Sequence, residues 1–207
     1  MSTAVKICGI TRIEDADAAA RCGAHAIGLV FHEPSPRHVS VAQAAAIVRS
    51  LPPFVMPVGL FVDAPAQRVR DTLARVPLPL LQFHGDEPPE YCASFGVAYL
   101  KAVRVAANVD LVEYARTYRE AKGLLLDAYV AGVHGGTGTA FDWRLIPAQL
   151  PLPVVLSGGL TPDNVAQAVR TVRPRAVDVS SGVEAAKGIK DHGKIAAFIA
   201  GVRNADV

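Results

Sequence analysis

The chain has 207 residues, a formal net charge of +2 and 3 cysteines. That length suits one or two ordinary domains. Cysteines this few, at spacings that form neither a disulfide framework nor a zinc site, point to a reducing compartment. The charge is spread along the chain, so no basic stripe offers itself to nucleic acid; no apolar run nears the roughly 18 residues of a membrane span, and the acidic residues of the first fifteen positions interrupt any signal-peptide core.

In chain order, short apolar runs alternate with polar, alanine-rich stretches. The first run, Val5–Ile10, is followed by a predicted helix over Ile13–Cys22, with Glu14, Asp15 and Asp17 at its start, where acids suit a helix N-terminus, and Gly23 as its stop. Ala26–Phe31 precedes a helix over Val41–Leu51 that opens behind Ser40 and ends before Pro52-Pro53. Val58–Val62 leads to a helix over Pro65–Arg75, Leu78–Phe83 to one over Pro89–Phe95, and Tyr99–Val103 to one over Val109–Ala121. After Leu124–Asp127 comes the one long irregular stretch, 128–142, with Gly132, Gly135, Gly136 and Gly138. A helix over Trp143–Leu150, weakened by Pro147, precedes Val154–Ser157. Pro162–Val172 has the strongest start signal, Thr161 then Pro162; Ala176–Ser180 and a helix over His192–Arg203 end the series.

Eight runs at about 26 residues per unit imply parallel strands with right-handed helical crossovers. A doubly wound open sheet would carry its glycine-rich turn after the first strand. Here Cys8-Gly9-Ile10-Thr11 stands there, and the glycine clusters follow runs six, seven and eight. That pattern favours an α/β fold of the (β/α)8 TIM-barrel type, a single compact domain over 1–207, whose site lies at the C-terminal ends of its strands.

Those ends are Cys8, Phe31, Asp63, His84, Arg104, Asp127 and the turns Ser157-Gly158-Gly159 and Ser180-Ser181-Gly182. Paired glycine turns after strands seven and eight present backbone N–H groups to a phosphate, and a helical turn over Val183–Ala185 would add its N-terminus. Cys8 reads either as a small core hydrophobe or as a nucleophile or base, while Cys22 and Cys92 read as core. Asp127, behind Leu124-Leu125-Leu126, is either a desolvated acid able to donate a proton or a loop anchor. His84 suits a base, an orienting donor or a structural role. Arg37, in Pro34-Ser35-Pro36-Arg37-His38, is either an exposed surface residue or a bidentate carboxylate binder on a stiffened loop. Asp178 shares parity with Ser180 and faces the barrel interior as a structural ion-pair partner for Lys6.

The motifs together resemble the phosphoribosylanthranilate isomerase family. They run in order from Val5-Lys6-Ile7-Cys8-Gly9-Ile10-Thr11 through Gly28-Leu29-Val30-Phe31, Ser35-Pro36-Arg37, Val58-Gly59-Leu60-Phe61-Val62 and Gln82-Phe83-His84-Gly85-Asp86-Glu87. Leu125-Leu126-Asp127, Gly135-Gly136-Thr137-Gly138, Phe141-Asp142-Trp143, Leu156-Ser157-Gly158-Gly159-Leu160, Val177 to Glu184 and Lys190-Asp191-His192 complete them. The resemblance implies an Amadori rearrangement of an aminoaldose phosphate to an aminoketose in tryptophan biosynthesis, with Cys8 as general base and Asp127 as general acid. It implies that Arg37 holds the anthranilate carboxylate and that phosphate sits at the turns of Gly158-Gly159 and Ser181-Gly182, covered by the loop of Gly135 and Gly136; from their places at the strand ends, Ser180 and His84 are expected at the substrate and Asp178 behind it. It further implies no metal or organic cofactor and a small phosphosugar as partner; charge and hydropathy add neither nucleic acid nor membrane, and a monomer or homodimer in the cytoplasm is expected. A thiol near its ordinary pKa is about a tenth ionised around pH 7.5, so Cys8 is expected to need little activation. Two rivals are another phosphosugar isomerase, such as the two-aspartate isomerase of histidine biosynthesis, and a barrel that binds phosphosugars without turnover; Cys8 and the compact length speak against the first, Cys8 with Asp127 against the second.

Overall fold

The computed structural model describes residues 2–106, 108–128 and 143–205. Eight strands, β1 (Ala4–Cys8), β2 (Ala26–Val30), β3 (Met56–Phe61), β4 (Leu80–Phe83), β5 (Ala98–Val105), β6 (Gly123–Ala128), β7 (Val154–Leu156) and β8 (Ala176–Val179), pair in chain order into a closed barrel. All pairings around the barrel are parallel, and β8 closes on β1 with Lys6 opposite Asp178 and Ile7 opposite Val179. Every predicted run holds a strand. The first ends two residues early because Gly9, at φ +72°, turns the chain out of the sheet.

The helices follow the local signals where side chains serve the helix itself. α1 (Ile13–Cys22) stops at Gly23, whose left-handed backbone bonds back to Ala19 and Ala20. α2 (Val41–Ser50) opens with a capping box between Ser40 and Gln43. α3 (Ala66–Leu73) and α4 (Pro89–Ala93) begin behind prolines. α5 (Leu111–Thr117) starts later than predicted because Asp110 is its cap, accepting from the N–H groups of Val112 and Glu113. α6 (Val165–Val172) also starts late: Asn164 bonds Thr161 N–H and Gly159 C=O instead of capping, bracing the turn after β7. The helix expected over Trp143–Leu150 is only a 3-10 turn, Trp143–Leu145, since Pro147 removes the donor that would extend it. α7 (His192–Ala205) closes the fold. Between β8 and α7 a 3-10 turn, Ser181–Val183, passes into a small antiparallel hairpin of β9 (Glu184–Ala186) and β10 (Ile189–Lys190), which replaces the helical turn expected over Val183–Ala185.

Alternation along the strands divides the core. Val5, Ile7, Ile27, Leu29, Phe61, Leu81, Phe83, Leu156, Val177 and Val179 point outward into one cluster with Ala16, Ala19, Ala44, Ile47, Val69, Ala168, Ile195, Phe198 and Val202 of the helices. Full burial of side chains such as Ile7 or Phe198 contributes about 1.5–3 kcal/mol each. The inward residues Leu80, Leu100, Ala102, Leu125, Val155 and Ala176 plug the barrel as a separate cluster. Toward the other end the inward positions of β1, β4, β6 and β8 are polar, with Lys6, Gln82, Asp127 and Asp178 all buried, while Val30 and Leu60 keep the wall beside Cys8 apolar. The apolar plug shuts one end, so polar chemistry is confined to the other.

Candidate active site

Cys8 is buried at the end of β1, and Gly28, its register partner on β2, makes room for it: a Cβ there would lie 2.6 Å from the Cys8 sulfur. Lys6, one inward step below, donates to Asp178 Oδ1 at 2.8 Å, the ion pair expected from parity and from β8 closing on β1. Burial pushes the Cys8 thiol up from its ordinary value; the Lys6 and Lys190 ammonium groups oppose this and Asp178 adds to it. The expectation of a thiol needing little activation is therefore corrected: desolvation of the thiolate outweighs the nearby cations. Burial works against the charge on Lys6 too, yet Asp178 and Cys8 together carry its pKa upward.

The second group stands on β4 and β6. His84 Nε2 lies 3.1 Å from Asp127 Oδ2, and its Nδ1 lies 2.9 Å from Gln82 Nε2. An amide nitrogen can only donate, so Nδ1 accepts and Nε2 carries the hydrogen given to Asp127. Gln82 is fully buried, and its Oε1 has no partner among the described residues. The turn that carries His84 is pinned from below. Buried Lys101 donates to Gly85 C=O at 2.6 Å and to Glu87 Oε2 at 2.7 Å. Glu87 in turn accepts from the N–H groups of Gly85 and Asp63, tying the loops after β3 and β4 together. Arg104 is the register partner of Asp127 and is exposed.

Arg37 is not a surface residue. Its side chain is 14% exposed, and it grips Glu184 through two bonds, Nε to Oε1 at 2.7 Å and Nη2 to Oε2 at 2.8 Å. Lys190, fully buried at its side chain, donates to the same Oε1 at 3.0 Å and to Ser180 C=O at 3.0 Å. The Glu184 hydrogen bond raises the Arg37 pKa. Burial opposes ionisation of Glu184, but Arg37 and Lys190 hold it below its usual value. Burial lowers Lys190 despite Glu184. Neither Glu184 nor Lys190 stood out as a site residue in the sequence. The readable signal is an acid two residues past the Ser-Ser-Gly turn.

The two glycine turns meet. Gly158 and Gly159 have φ of +81° and +67°, and a Cβ on Gly182 would sit 1.9 Å from Leu160 C=O. Gly182 therefore packs on the chain just past the Gly158–Gly159 turn, with backbone N–H groups of both turns at one end of β7 and β8. Gly135 and Gly136 fall outside the described residues. A thiol, a carboxyl group paired with imidazole, a buried guanidinium and two abutting glycine turns thus share one barrel mouth.

A model of the family N-(5′-phosphoribosyl)anthranilate (PRA) isomerase matches residues 5–201. The chain belongs to the phosphoribosylanthranilate isomerase family. It is an isomerase of tryptophan biosynthesis. The N-(5′-phosphoribosyl)anthranilate isomerase of Thiobacillus denitrificans is 63% identical over 199 residues, covering 96% of this chain and 97% of that one. The crystal structure of phosphoribosyl anthranilate isomerase from Thermotoga maritima superposes with a TM-score of 0.90 at 44% identity, covering 98% of this chain and 99% of that one. A phosphoribosyl anthranilate isomerase in complex with reduced 1-(o-carboxyphenylamino)-1-deoxyribulose 5-phosphate superposes with a TM-score of 0.87 at 43% identity, over 98% and 99% of the two chains. Among phosphoribosylanthranilate isomerase motifs in this chain, Gln82 to Glu87 now has a physical reading: its outer members fix the loop, and its inner ones hold Asp127.

Proposed function

We propose that Cys8 and Asp127 perform the two proton transfers of the Amadori rearrangement of N-(5′-phosphoribosyl)anthranilate to 1-(o-carboxyphenylamino)-1-deoxyribulose 5-phosphate. The observation that carries this reading is the placing of a buried thiol beside an ammonium group and of a carboxyl group beside an imidazole, at the same end of one barrel. His84 holds Asp127 through Oδ2, and in this reading the Asp127 carboxyl group is the proton donor. Its proton, donated to the furanose ring oxygen, opens the ring to an iminium ion. The iminium acidifies the C2′ proton, which the Cys8 thiolate removes, and the enolamine tautomerises to the ketone.

In the same reading Arg37 takes the anthranilate carboxylate. Gly158, Gly159, Ser180, Ser181 and Gly182 take the phosphate, with Gly135 and Gly136 covering it, and Asp178 steadies Lys6 below Cys8. The protein would act as a single barrel domain over residues 1–207 in the cytoplasm, on a small phosphosugar. No helix among the described residues is long and apolar enough to cross a membrane.

The test follows substrate fluorescence, which changes as the anthranilate amine is rearranged. Cys8→Ser and Asp127→Asn each lower kcat by about 10²–10⁴-fold, the usual worth of a positioned proton-transfer group, with KM little changed. Near-normal kcat in either variant removes that residue from its role.

A further inference from the structure

Arg37 is held from behind by a part of the fold with no other evident work. The β9–β10 hairpin is short, with Lys190 opposite Glu184, and several side chains fasten it in place. Thr11 Oγ1, in the loop after β1, donates to Gly188 C=O. Asp15 of α1, wholly buried, accepts from Lys190 N–H at 3.2 Å. Glu184 itself takes Arg37, Lys190 and, at 3.4 Å, the N–H of Gly188. The Arg37 stem rests on Gly9: a Cβ there would lie 2.5 Å from Arg37 Cδ and 3.0 Å from Ser180 Oγ. The Arg37 stem is therefore fixed against the residue next to Cys8.

We propose that Glu184, carried by the β9–β10 hairpin, is a positioning residue for the substrate carboxylate: it grips Arg37 through Nε and Nη2 so that Nη1 and the remaining Nη2 hydrogen face the pocket as a fork. This rests on the reading of Arg37 given above. Guanidinium donors are coplanar, so occupying one edge fixes the direction of the next, which is matched to a carboxylate. The charges fit as well. Glu184 cancels one of the two buried cations, Arg37 and Lys190, and leaves a single positive charge for a singly charged acid. Without it the two cations would repel each other and the guanidinium would lose its aim.

The experiment compares the natural substrate with N-(5′-phosphoribosyl)aniline, which lacks the carboxylate. Glu184→Asp keeps the charge but withdraws the carboxylate by one methylene. It raises KM for the natural substrate about 10- to 100-fold, the worth of one charge-assisted hydrogen bond. Its kcat moves far less, and KM for the aniline compound stays put. Thr11→Val unties the hairpin without touching a charge and gives the same pattern at smaller amplitude, which keeps the test open should Glu184→Asp fold poorly. On an Arg37→Ala background Glu184→Asp adds nothing. The proposal is overturned if Glu184→Asp weakens both substrates alike, leaves both unchanged, or adds its full effect when Arg37 is gone. If Arg37→Ala alone fails to distinguish the two substrates, the reading of Arg37 falls instead.

Discussion

Replacing Lys6 with methionine removes the ammonium that both neutralises Asp178 and faces Cys8. At a separation of 2.8 Å and an effective dielectric constant of about 20, the pair attracts by about 6 kcal/mol, much of it offset by taking both ions out of water. Leaving Asp178 buried and uncompensated should cost about 3–5 kcal/mol, read from urea denaturation as a lower midpoint at constant slope. Lys6→Met/Asp178→Leu should recover most of that loss, because a buried pair exchanged for apolar side chains is often neutral. Activity should not recover with it, since the thiol has lost its cation. The two single variants must also move the thiol in opposite directions: Lys6→Met raises the Cys8 pKa further, Asp178→Asn lowers it. The pH dependence of thiol alkylation in a Cys22→Ala background reads this directly, because the Cys92 thiol is pushed up to about 12 by burial. Unchanged stability in Lys6→Met, or shifts of the same sign in both variants, would refute the reasoning.

Gly28→Ala places a methyl group 2.6 Å from the Cys8 sulfur. The rotamer of Cys8 must change, so kcat should drop by more than about tenfold, while overpacking costs about 1–3 kcal/mol in denaturation. Gly182→Ala sets a Cβ 1.9 Å from Leu160 C=O, backbone against backbone, and drives the two glycine turns apart. Inhibition by inorganic phosphate should weaken together with a rise in substrate KM; retained phosphate inhibition would place the anion elsewhere. Acid stability follows Asp15 and Glu184. Burial opposes ionisation of both, yet Arg12 and His192 for the first, and Arg37 and Lys190 for the second, hold them below their ordinary values of 3.8 and 4.5. Carboxylates depressed in the folded state stabilise it above their unfolded pKa values and lose that contribution as pH falls through the folded ones. Tm should thus stay level down to about pH 4.5 and then fall, and less steeply in Glu184→Gln; equal slopes would remove Glu184 from the acid transition.

The barrel was legible because strands buried on both faces read as unbroken apolar runs, and because Gly23 and Ser40 stop and start helices by local chemistry alone. Where a side chain has a longer-range task the local signal misleads. Asn164 follows a strong helix start yet spends its amide on the turn at Gly159. Cys8, His84 and Asp127 were visible as strand ends, and the Lys6–Asp178 pair follows from parity plus closure of β8 on β1. The partner of Arg37 was not visible, since Glu184 lies 147 residues away on a strand too short to show alternation. Gln82 was hidden for another reason: one amide inside an apolar run looks like an interruption until the neighbouring imidazole is placed beside it.

Strand order also sets apart the two groups proposed to transfer protons. β8, β1 and β2 are consecutive around the closed barrel, and they gather the cations: Lys6 on β1, Lys190 behind β8 and Arg37 behind β2. Asp127 on β6 and His84 just past β4 lie across from them, with β7 and β8 between β6 and β1. A base and an acid crowded into one cluster would titrate as a coupled pair and share a proton. Here the thiol stands beside the Lys6–Asp178 ion pair and the carboxyl group beside an imidazole bonded to Gln82, on separate strands of the mouth. In the proposed reaction the substrate spans the gap, its carboxylate and phosphate held from the cationic side. The proton leaves Asp127 for the ring oxygen and a different proton arrives at Cys8. The mixed outcome expected of Lys6→Met/Asp178→Leu, stability regained without activity, is the experimental form of that separation: the interior tolerates the apolar pair, whereas the thiol on its side of the mouth does not.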